Sequence, residues 1–519
     1  MQPDVGGMPF FLSDIVKDNA RWAPDASALI FADRTWTWRQ FHDETQRLQQ
    51  GLARLGVCRG TRVAVLDRNS AEYVLLGYAL AGMGAVLVPI NMWLRAAEVG
   101  YILGNCQPSF LVVSDEFLDL ASAALERLDD KPQMISRGSR HQGMVEWASL
   151  SEPGPQMRIE GPQSPDDPHL ILYTSGTTGR PKGAIISHRR SVVDALNVLN
   201  VFGIRRFERF FCYMPLFHTG AWDYLKLYFM MRGSAVIAER FEPDAAVEAI
   251  ATYRCNGMFG VPMVMRQMME SPSWRKADLS SMRLIAYANY DPSTLIVKIA
   301  KAFRERGASE IGIANAYGLT EGGPYICINP PDASMRQPLA IGFPVPGTQV
   351  ALLDDQMNEV PAGGIGEICV RSPALMSGYL NRPEATAETF SGGWLHTGDL
   401  GRVDPEGYIF LVDRKKDMIR SGGENIYAKE VELCIVSHPA VRDCAVFGVL
   451  DDDYGEKVVA AIVRDDPDLT ESEIISFVRG KIAGFKAPRL VIFLDDLPKT
   501  PAGKIKKHEI RKQLADAAH

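Results

Sequence analysis

Apolar positions recur at helical spacing over Ser13 to Trp22 and Thr37 to Leu55, and short unbroken apolar runs follow at Arg62 to Leu66, Ala85 to Val88 and Phe110 to Val113. The first pattern marks amphipathic helices; the second suits strands buried on both faces. Their alternation predicts an α/β domain with mostly parallel sheets. Tyr73 to Ile90 is apolar and uncharged, close to the length of a membrane span. Its Gly77, Gly82, Gly84 and Pro89 instead divide it into a buried helix and a buried strand, so no membrane span is expected. Between Leu150 and Pro168 the chain turns to Ser, Pro, Asp and Gly, a connecting loop ahead of the strand His169 to Tyr173. From about Gly342 to Leu411 strands shorten and turns multiply, as at Pro361-Ala-Gly-Gly, Ser391-Gly-Gly and Pro405-Glu-Gly, which predicts a small β-rich subdomain. Alternation then resumes, with a helix over Ala428 to Ser437, a strand over Val441 to Val449 and a helix over Glu471 to Lys481. The expected division is a large α/β domain with its β-rich subdomain, residues 1–413, followed by a small α+β domain, residues 414–519.

Composition changes this picture little. A chain of 519 residues exceeds what one core supports, in keeping with two domains. Lys and Arg number 56 against 63 Asp and Glu, and the net charge of −7 argues against a general nucleic-acid binder. The eight cysteines are scattered, none spaced C-x-x-C, so neither a disulfide framework nor a structural zinc site is expected. Met1 to Phe11 has no basic stretch followed by an apolar one, and cytosol is the default location.

The densest chemical signal is Tyr173-Thr-Ser-Gly-Thr-Thr-Gly-Arg-Pro-Lys-Gly183, between an apolar strand and an amphipathic segment starting near Ser187. Gly176, Gly179 and Gly183 let the backbone curl with its N–H groups inward. Thr174, Ser175, Thr177 and Thr178 add hydroxyls, and Lys182 adds a cation. Together they read as a phosphate cradle. It is not the P-loop of NTPases, because no Gly-Lys-Ser/Thr follows at the required spacing.

This loop resembles the phosphate-binding signature of the ANL superfamily of adenylate-forming enzymes, which includes acyl-CoA synthetases and adenylation domains. Four further segments resemble that family's motifs in family order, and each implies roles. Asn315-Ala-Tyr-Gly-Leu-Thr-Glu321 implies Tyr317 on adenine, with Asn315, Ala316 and Gly318 at the nucleotide, Thr320 on phosphate and Glu321 on Mg²⁺. Thr174 is implied as a second metal contact. Trp394-Leu-His-Thr-Gly-Asp399 implies Asp399 on the ribose. Asp413-Arg-Lys-Lys-Asp417 implies Arg414 on the ribose and Lys416 as the hinge of a mobile C-terminal domain. Pro498-Lys-Thr-Pro-Ala-Gly-Lys504 implies Lys504 as the catalytic lysine. The paired glycines of Ser421-Gly-Gly-Glu-Asn-Ile426 suit either a pantetheine channel or a tight turn.

The chemistry agrees with these roles. Attack of a carboxylate on the α-phosphorus of ATP joins two anions, so the site must neutralise charge and hold the groups in line. Lys504, a Mg²⁺ at Glu321 and a pyrophosphate cradle from Ser175 to Lys182 would do this.

Pro215-Leu-Phe-His-Thr-Gly-Ala-Trp-Asp223 resembles the family's acid-pocket segment, with His218 at the gate and Gly220 beside it; Gly318 would border the same acid. Glycine at 220 suits either a positive φ or close approach to the nucleotide, or an open pocket end that admits an alkyl tail. Asp223 stands where related synthetases commonly carry a neutral residue, and it lies among apolar neighbours. An ionised carboxylate there needs a cation, either Lys226 or the ammonium of a substrate. Ala286-Tyr-Ala-Asn-Tyr-Asp-Pro292 also departs from the family's turn and places Asn289 and Tyr290 at the pocket floor.

The combination resembles the stand-alone β-amino acid adenylation enzymes of macrolactam polyketide pathways. That resemblance implies a medium-chain 3-amino fatty acid, ATP and Mg²⁺, and transfer to the phosphopantetheine thiol of an acyl carrier protein. The alternatives are a fatty acyl-CoA or aryl-CoA synthetase and a silent nucleotide sensor, against which the full set of catalytic positions weighs.

Overall fold

The computed structural model describes residues 10–174, 180–288, 295–421, 424–451, 454–499 and 505–517. By packing, the chain forms two compact units: residues 1–350 with 370–395, and residues 351–369 with 396–519.

The first unit is mixed α/β. In one sheet the strands Arg62–Leu66, Val86–Pro89, Phe110–Ser114 and Gln133–Arg137 run parallel. Pro168–Thr174 continues it beside Val86–Pro89, and Lys182–Ser187 then pairs antiparallel with Pro168–Thr174. The two-residue strand Gly378–Tyr379 closes that edge, with Gly378 opposite Ile185 and Tyr379 opposite Ala184. A nine-stranded sheet holds the parallel strands Gly257–Gly260, Leu284–Tyr287 and Gly312–Leu319, and Gly312–Leu319 turns back antiparallel into Gly323–Asn329. The apolar stretch after Tyr73 is indeed split, into the helix Ala71–Gly82 and the strand Val86–Pro89. No helix among the described residues is long and apolar enough to cross a membrane.

Two helices of this unit place the site. His188–Phe202 begins where the Ser187 hydroxyl accepts from the backbone N–H of Arg190, and it stops at Gly203, whose φ of 63° breaks the helical path. Thr219–Met230 is buried along nearly its whole length, from Ala221 to Phe229. A helix enclosed on all sides buries apolar area efficiently, at about 1.5–3 kcal/mol for each large side chain. Any charged residue on it must then find its partner inside the protein.

The second unit is built on antiparallel pairs. Leu395–Val403 pairs with Ile409–Arg414, setting Asp399 opposite Arg414. Val441–Asp451 and Gly455–Arg464 form a long antiparallel pair, to which Leu490–Phe493 adds in parallel. The helices Ala428–Val436 and Glu471–Lys481 match the sequence pattern, and their apolar residues Val431, Ile435, Ile474 and Val478 share one core with that sheet.

Candidate active site

In the first unit the glycine-rich segment joins two antiparallel strands, Thr174 lying opposite Lys182. Ser175, Gly176, Thr177, Thr178 and Gly179 lie outside the described residues. On the flank of this hairpin Thr174 Oγ1 donates to Glu321 Oε1 at 3.2 Å. Tyr379 Oη donates to the same carboxylate oxygen at 2.8 Å. Lys182 Nζ stands 5.0 Å from the centroid of the Tyr379 ring. All four side chains are half-buried.

Glu321 is carried here by the hairpin of Gly312–Leu319 and Gly323–Asn329. That hairpin closes only because residue 318 lacks a side chain: a Cβ on Gly318 would meet the Gly323 carbonyl oxygen at 2.3 Å. Gly323, which pairs with Leu319, has φ of +88°. Asn315 is buried and its Nδ2 donates to the Ala340 carbonyl at 3.0 Å, so its amide is engaged in holding the fold. Ala316 and Tyr317 are also largely buried. The Thr320 carbonyl accepts from the Arg190 guanidinium at 3.2 Å.

The acid-pocket segment lies on the enclosed helix. His218, exposed, is its N-cap, and its ring rests 4.7 Å from that of Phe217. Gly220 lies inside the helix without a positive φ, and a Cβ there would meet the Met214 thioether at 3.4 Å, an ordinary contact. The positive-φ explanation for this glycine therefore falls. Asp223 is 2% exposed. Its Oδ2 accepts from Thr219 Oγ1 at 2.6 Å, and its Oδ1 is bonded to the Lys226 ammonium. Lys226, equally buried, also reaches Asp194 Oδ2 at 3.1 Å. Of the two cations weighed for Asp223, the structure supplies Lys226.

Burial raises the Asp194 carboxyl above the usual range, while Lys226 and Arg190 oppose that shift. Arg190 is itself buried. Asp223 thus has a cation within the protein, and Lys226 is shared between it and Asp194. Asn289 and Tyr290 lie outside the described residues.

In the second unit Asp399, buried, pairs with Arg414 at 2.6 Å, so the two groups expected at the ribose are brought together. Lys416 is half-buried, and its pKa is lowered by that burial, with Arg414, Arg511 and Lys507 adding to the effect against Asp417. Ser421 faces Glu424 across a hairpin whose Gly422 and Gly423 lie outside the described residues, as does Lys504. Glu367, Cys369 and His396 cluster here, but the Glu367 carboxylate already holds the Lys415 ammonium at 3.1 Å and the Gly398 N–H at 3.0 Å.

The family model for AMP-binding enzymes matches residues 16–380, and that for the AMP-binding enzyme C-terminal domain matches residues 430–504. The chain belongs to the AMP-binding enzyme family. It is 33% identical over 507 residues to an indoleacetate–CoA ligase of Aromatoleum aromaticum, covering 97% of this chain and 98% of that one. It is also 33% identical over 506 residues to a fatty acid–[acyl-carrier-protein] ligase of Streptomyces coeruleorubidus, covering 95% and 94%. The solved structure of an anthranilate CoA ligase in complex with anthranoyl-AMP superposes with a TM-score of 0.86 at 30% identity, covering 98% of each chain. This AMP-binding enzyme is an ATP-dependent, adenylate-forming ligase acting on a carboxylic acid.

Two features of this AMP-binding enzyme escape a reading of motifs. Tyr379 lies about two hundred residues from Lys182 and reaches it only through the strand pairing. Asp194 and Arg190 belong to a helix whose sequence carries no motif, and only packing brings them to Lys226 and Thr320.

Proposed function

We propose that this AMP-binding enzyme activates an uncharged-tail carboxylic acid, aryl or aliphatic, and passes its acyl group to the thiol of coenzyme A. One observation carries the choice of acid: the buried Asp223 carboxylate is bonded to Lys226 and Thr219. A 3-amino fatty acid, which the sequence favoured, would have to break that pairing, and doing so would leave a buried lysine short of its partner. Similarity to proteins named as indoleacetate–CoA and anthranilate CoA ligases supports the aryl class and the coenzyme A acceptor.

In this reading an acid oxygen attacks the α-phosphorus of ATP and the bond to pyrophosphate breaks. The thiol sulfur then attacks the acyl carbon and AMP leaves. Lys182 and the loop at Ser175–Gly179 hold the departing pyrophosphate, Tyr317 borders adenine, and the Asp399–Arg414 pair meets the ribose hydroxyls. Lys504 supplies a cation during adenylation, and the domain from residue 414 turns about Lys416 for thiol transfer. Glu321 and Thr174 offer a carboxylate and a hydroxyl, the hard oxygen donors that suit Mg²⁺ bound mainly through nucleotide phosphates. Bound there, the ion would neutralise phosphate charge.

Pyrophosphate exchange over matched sets of 3-amino acids, their des-amino counterparts and aryl acids tests the choice of acid. The expected result is exchange with aryl or des-amino acids and little with amines. A preference for the 3-amino acid approaching the roughly 10⁴-fold that a dedicated polar site can reach would overturn it. Thioester yield with coenzyme A against a holo acyl carrier protein then decides the acceptor.

A further inference from the structure

We propose that Tyr379 is a positioning residue that keeps Lys182 off Glu321 and turns the Glu321 carboxylate to leave Oε2 for a cation. The inference rests on the reading of Glu321 as a metal contact. Its geometric basis is a convergence on one atom: Tyr379 Oη at 2.8 Å and Thr174 Oγ1 at 3.2 Å both donate to Glu321 Oε1, and no described residue donates to Oε2. Two hydroxyls on one oxygen fix the rotation of a carboxylate as second partners do around metal ligands generally.

The ring of Tyr379 does a second job. Lys182 Nζ lies 5.0 Å from its centroid, within the range of cation–π attraction. Among the described residues no ion pair joins Lys182 to Glu321. Ammonium and carboxylate both meet this one phenol, and without it they would be free to close on each other and cancel the charges that ATP phosphates and a cation need. With the phenol's hydroxyl on the carboxylate and its ring under the ammonium, both charges stay available.

The backbone makes this placement rigid. Ser377 N–H donates to the Ile185 carbonyl at 2.9 Å and Leu380 N–H to the Gly183 carbonyl at 2.8 Å, clamping Tyr379 from both sides onto the strand that starts at Lys182. Tyr379 N–H donates to Thr386 Oγ1 at 2.9 Å. Gly378 makes the bend possible: its φ is +138°, and a Cβ there would meet Thr386 Cγ2 at 2.9 Å.

The test measures binding of Mn²⁺ with ATP to the full-length enzyme by electron paramagnetic resonance, without acid so that no turnover occurs, for wild type, Tyr379→Phe, Tyr379→Leu and Glu321→Gln. Tyr379→Phe keeps the ring and should weaken Mn²⁺ binding by about 10- to 100-fold, the range for losing a partner of a metal ligand. Its ATP affinity without metal should stay within about threefold, well below that loss. Tyr379→Leu should weaken metal-free ATP binding as well, because Lys182 is then released onto Glu321. If Glu321→Gln weakens Mn²⁺ binding and Tyr379→Phe does not, the proposal is overturned while the reading of Glu321 stands. If Glu321→Gln leaves Mn²⁺ binding unchanged, that reading falls and this proposal falls with it. Mn²⁺ dependence is the readout that loss of packing alone would not move.

Discussion

Around Glu321 and around Asp223 the first unit assembles the same kinds of group, a carboxylate, a threonine hydroxyl and a lysine, with opposite results. At Asp223 the threonine and the lysine both bond the carboxylate, and everything but the threonine is about 2% exposed. At Glu321 the threonine bonds the carboxylate, but the lysine stands over a tyrosine ring instead, and the groups are half-buried. Direct contact pairs and buries the first set; in the second, no ion pair joins lysine and carboxylate among the described residues, and these are the groups proposed to meet the ligand. Residue type therefore says little about whether a carboxylate recognises a substrate. What decides it is whether the protein has already supplied the counter-ion.

The hardest test of that contrast is to remove each lysine. Lys226→Met should cost about 3–5 kcal/mol, because it leaves Asp223 and Asp194 buried without their shared cation. The double variant Asp223→Asn with Lys226→Met should recover more than half of that loss. Lys182→Met, at a half-exposed lysine with no ion pair among the described residues, should change stability by less than about 1 kcal/mol while lowering pyrophosphate exchange sharply. Urea unfolding of the three variants checks the ordering. Equal losses at both lysines would erase the distinction between a sealed and an open set.

A second sealed site sharpens it through pH. His188 is fully buried, its Nδ1 accepts the Leu12 backbone N–H at 3.2 Å, and burial pushes its pKa down to about 4 from 6.5. Neighbouring His169, bonded to Ser191 Oγ at 2.8 Å, is lowered too, by burial and then by the charge of His188. Protonating His188 would remove the acceptor that holds Leu12. The unfolded chain binds protons below 6.5 and the folded chain does not until about 4, so stability is complete above 6.5 and falls as pH drops through that window. The loss at His188 should approach about 3 kcal/mol, since each tenfold change in proton affinity is worth about 1.4 kcal/mol. Thermal unfolding between pH 7 and 4 measures it, and His188→Gln should flatten the curve. An unchanged slope in that variant would assign the acid sensitivity elsewhere.

The sequence carried these two regions unequally. The strand Arg62–Leu66 and the helix Glu471–Lys481 lie where the pattern put them, because apolar period and burial are the same fact seen twice. The split of the apolar stretch at Gly82 and Gly84 followed from glycine chemistry in the same way. Thr174 and Glu321, 147 residues apart, were each visible within a motif, and the structure joins them. Tyr379 was not visible. Its partners come from strand pairing at long range, and no spacing records that register. Asp223 was noticed for a sound reason, since a charge in apolar surroundings needs a partner. That Lys226 folds onto it, and that Asp194 on another helix shares the same ammonium, only packing could show.

The smallest expected effect concerns Gly220, one turn before Asp223 and two residues after the exposed His218, at the border between sealed and open ground. Its φ is not positive, and it sits inside a helix. In that setting glycine costs about 0.5–1 kcal/mol relative to alanine. A Cβ would find the Met214 thioether at 3.4 Å, contact without a clash, so Gly220→Ala should raise stability by that amount or leave it unchanged. Gly220→Leu goes further and must push the flexible Met214 side chain aside, narrowing whatever space the two share. If that space holds the tail of the acid, exchange should fall only for longer acids, by about 0.8 kcal/mol for each methylene excluded. Pyrophosphate exchange with straight-chain acids of graded length separates the cases. Losses that grow with length put Gly220 on the open side, at the acid. A uniform loss at every length, already present in Gly220→Ala, would mean that the backbone itself approaches the nucleotide there. No loss in either variant would put Gly220 with Asp223 on the sealed side, its glycine then marking only the room that Met214 takes.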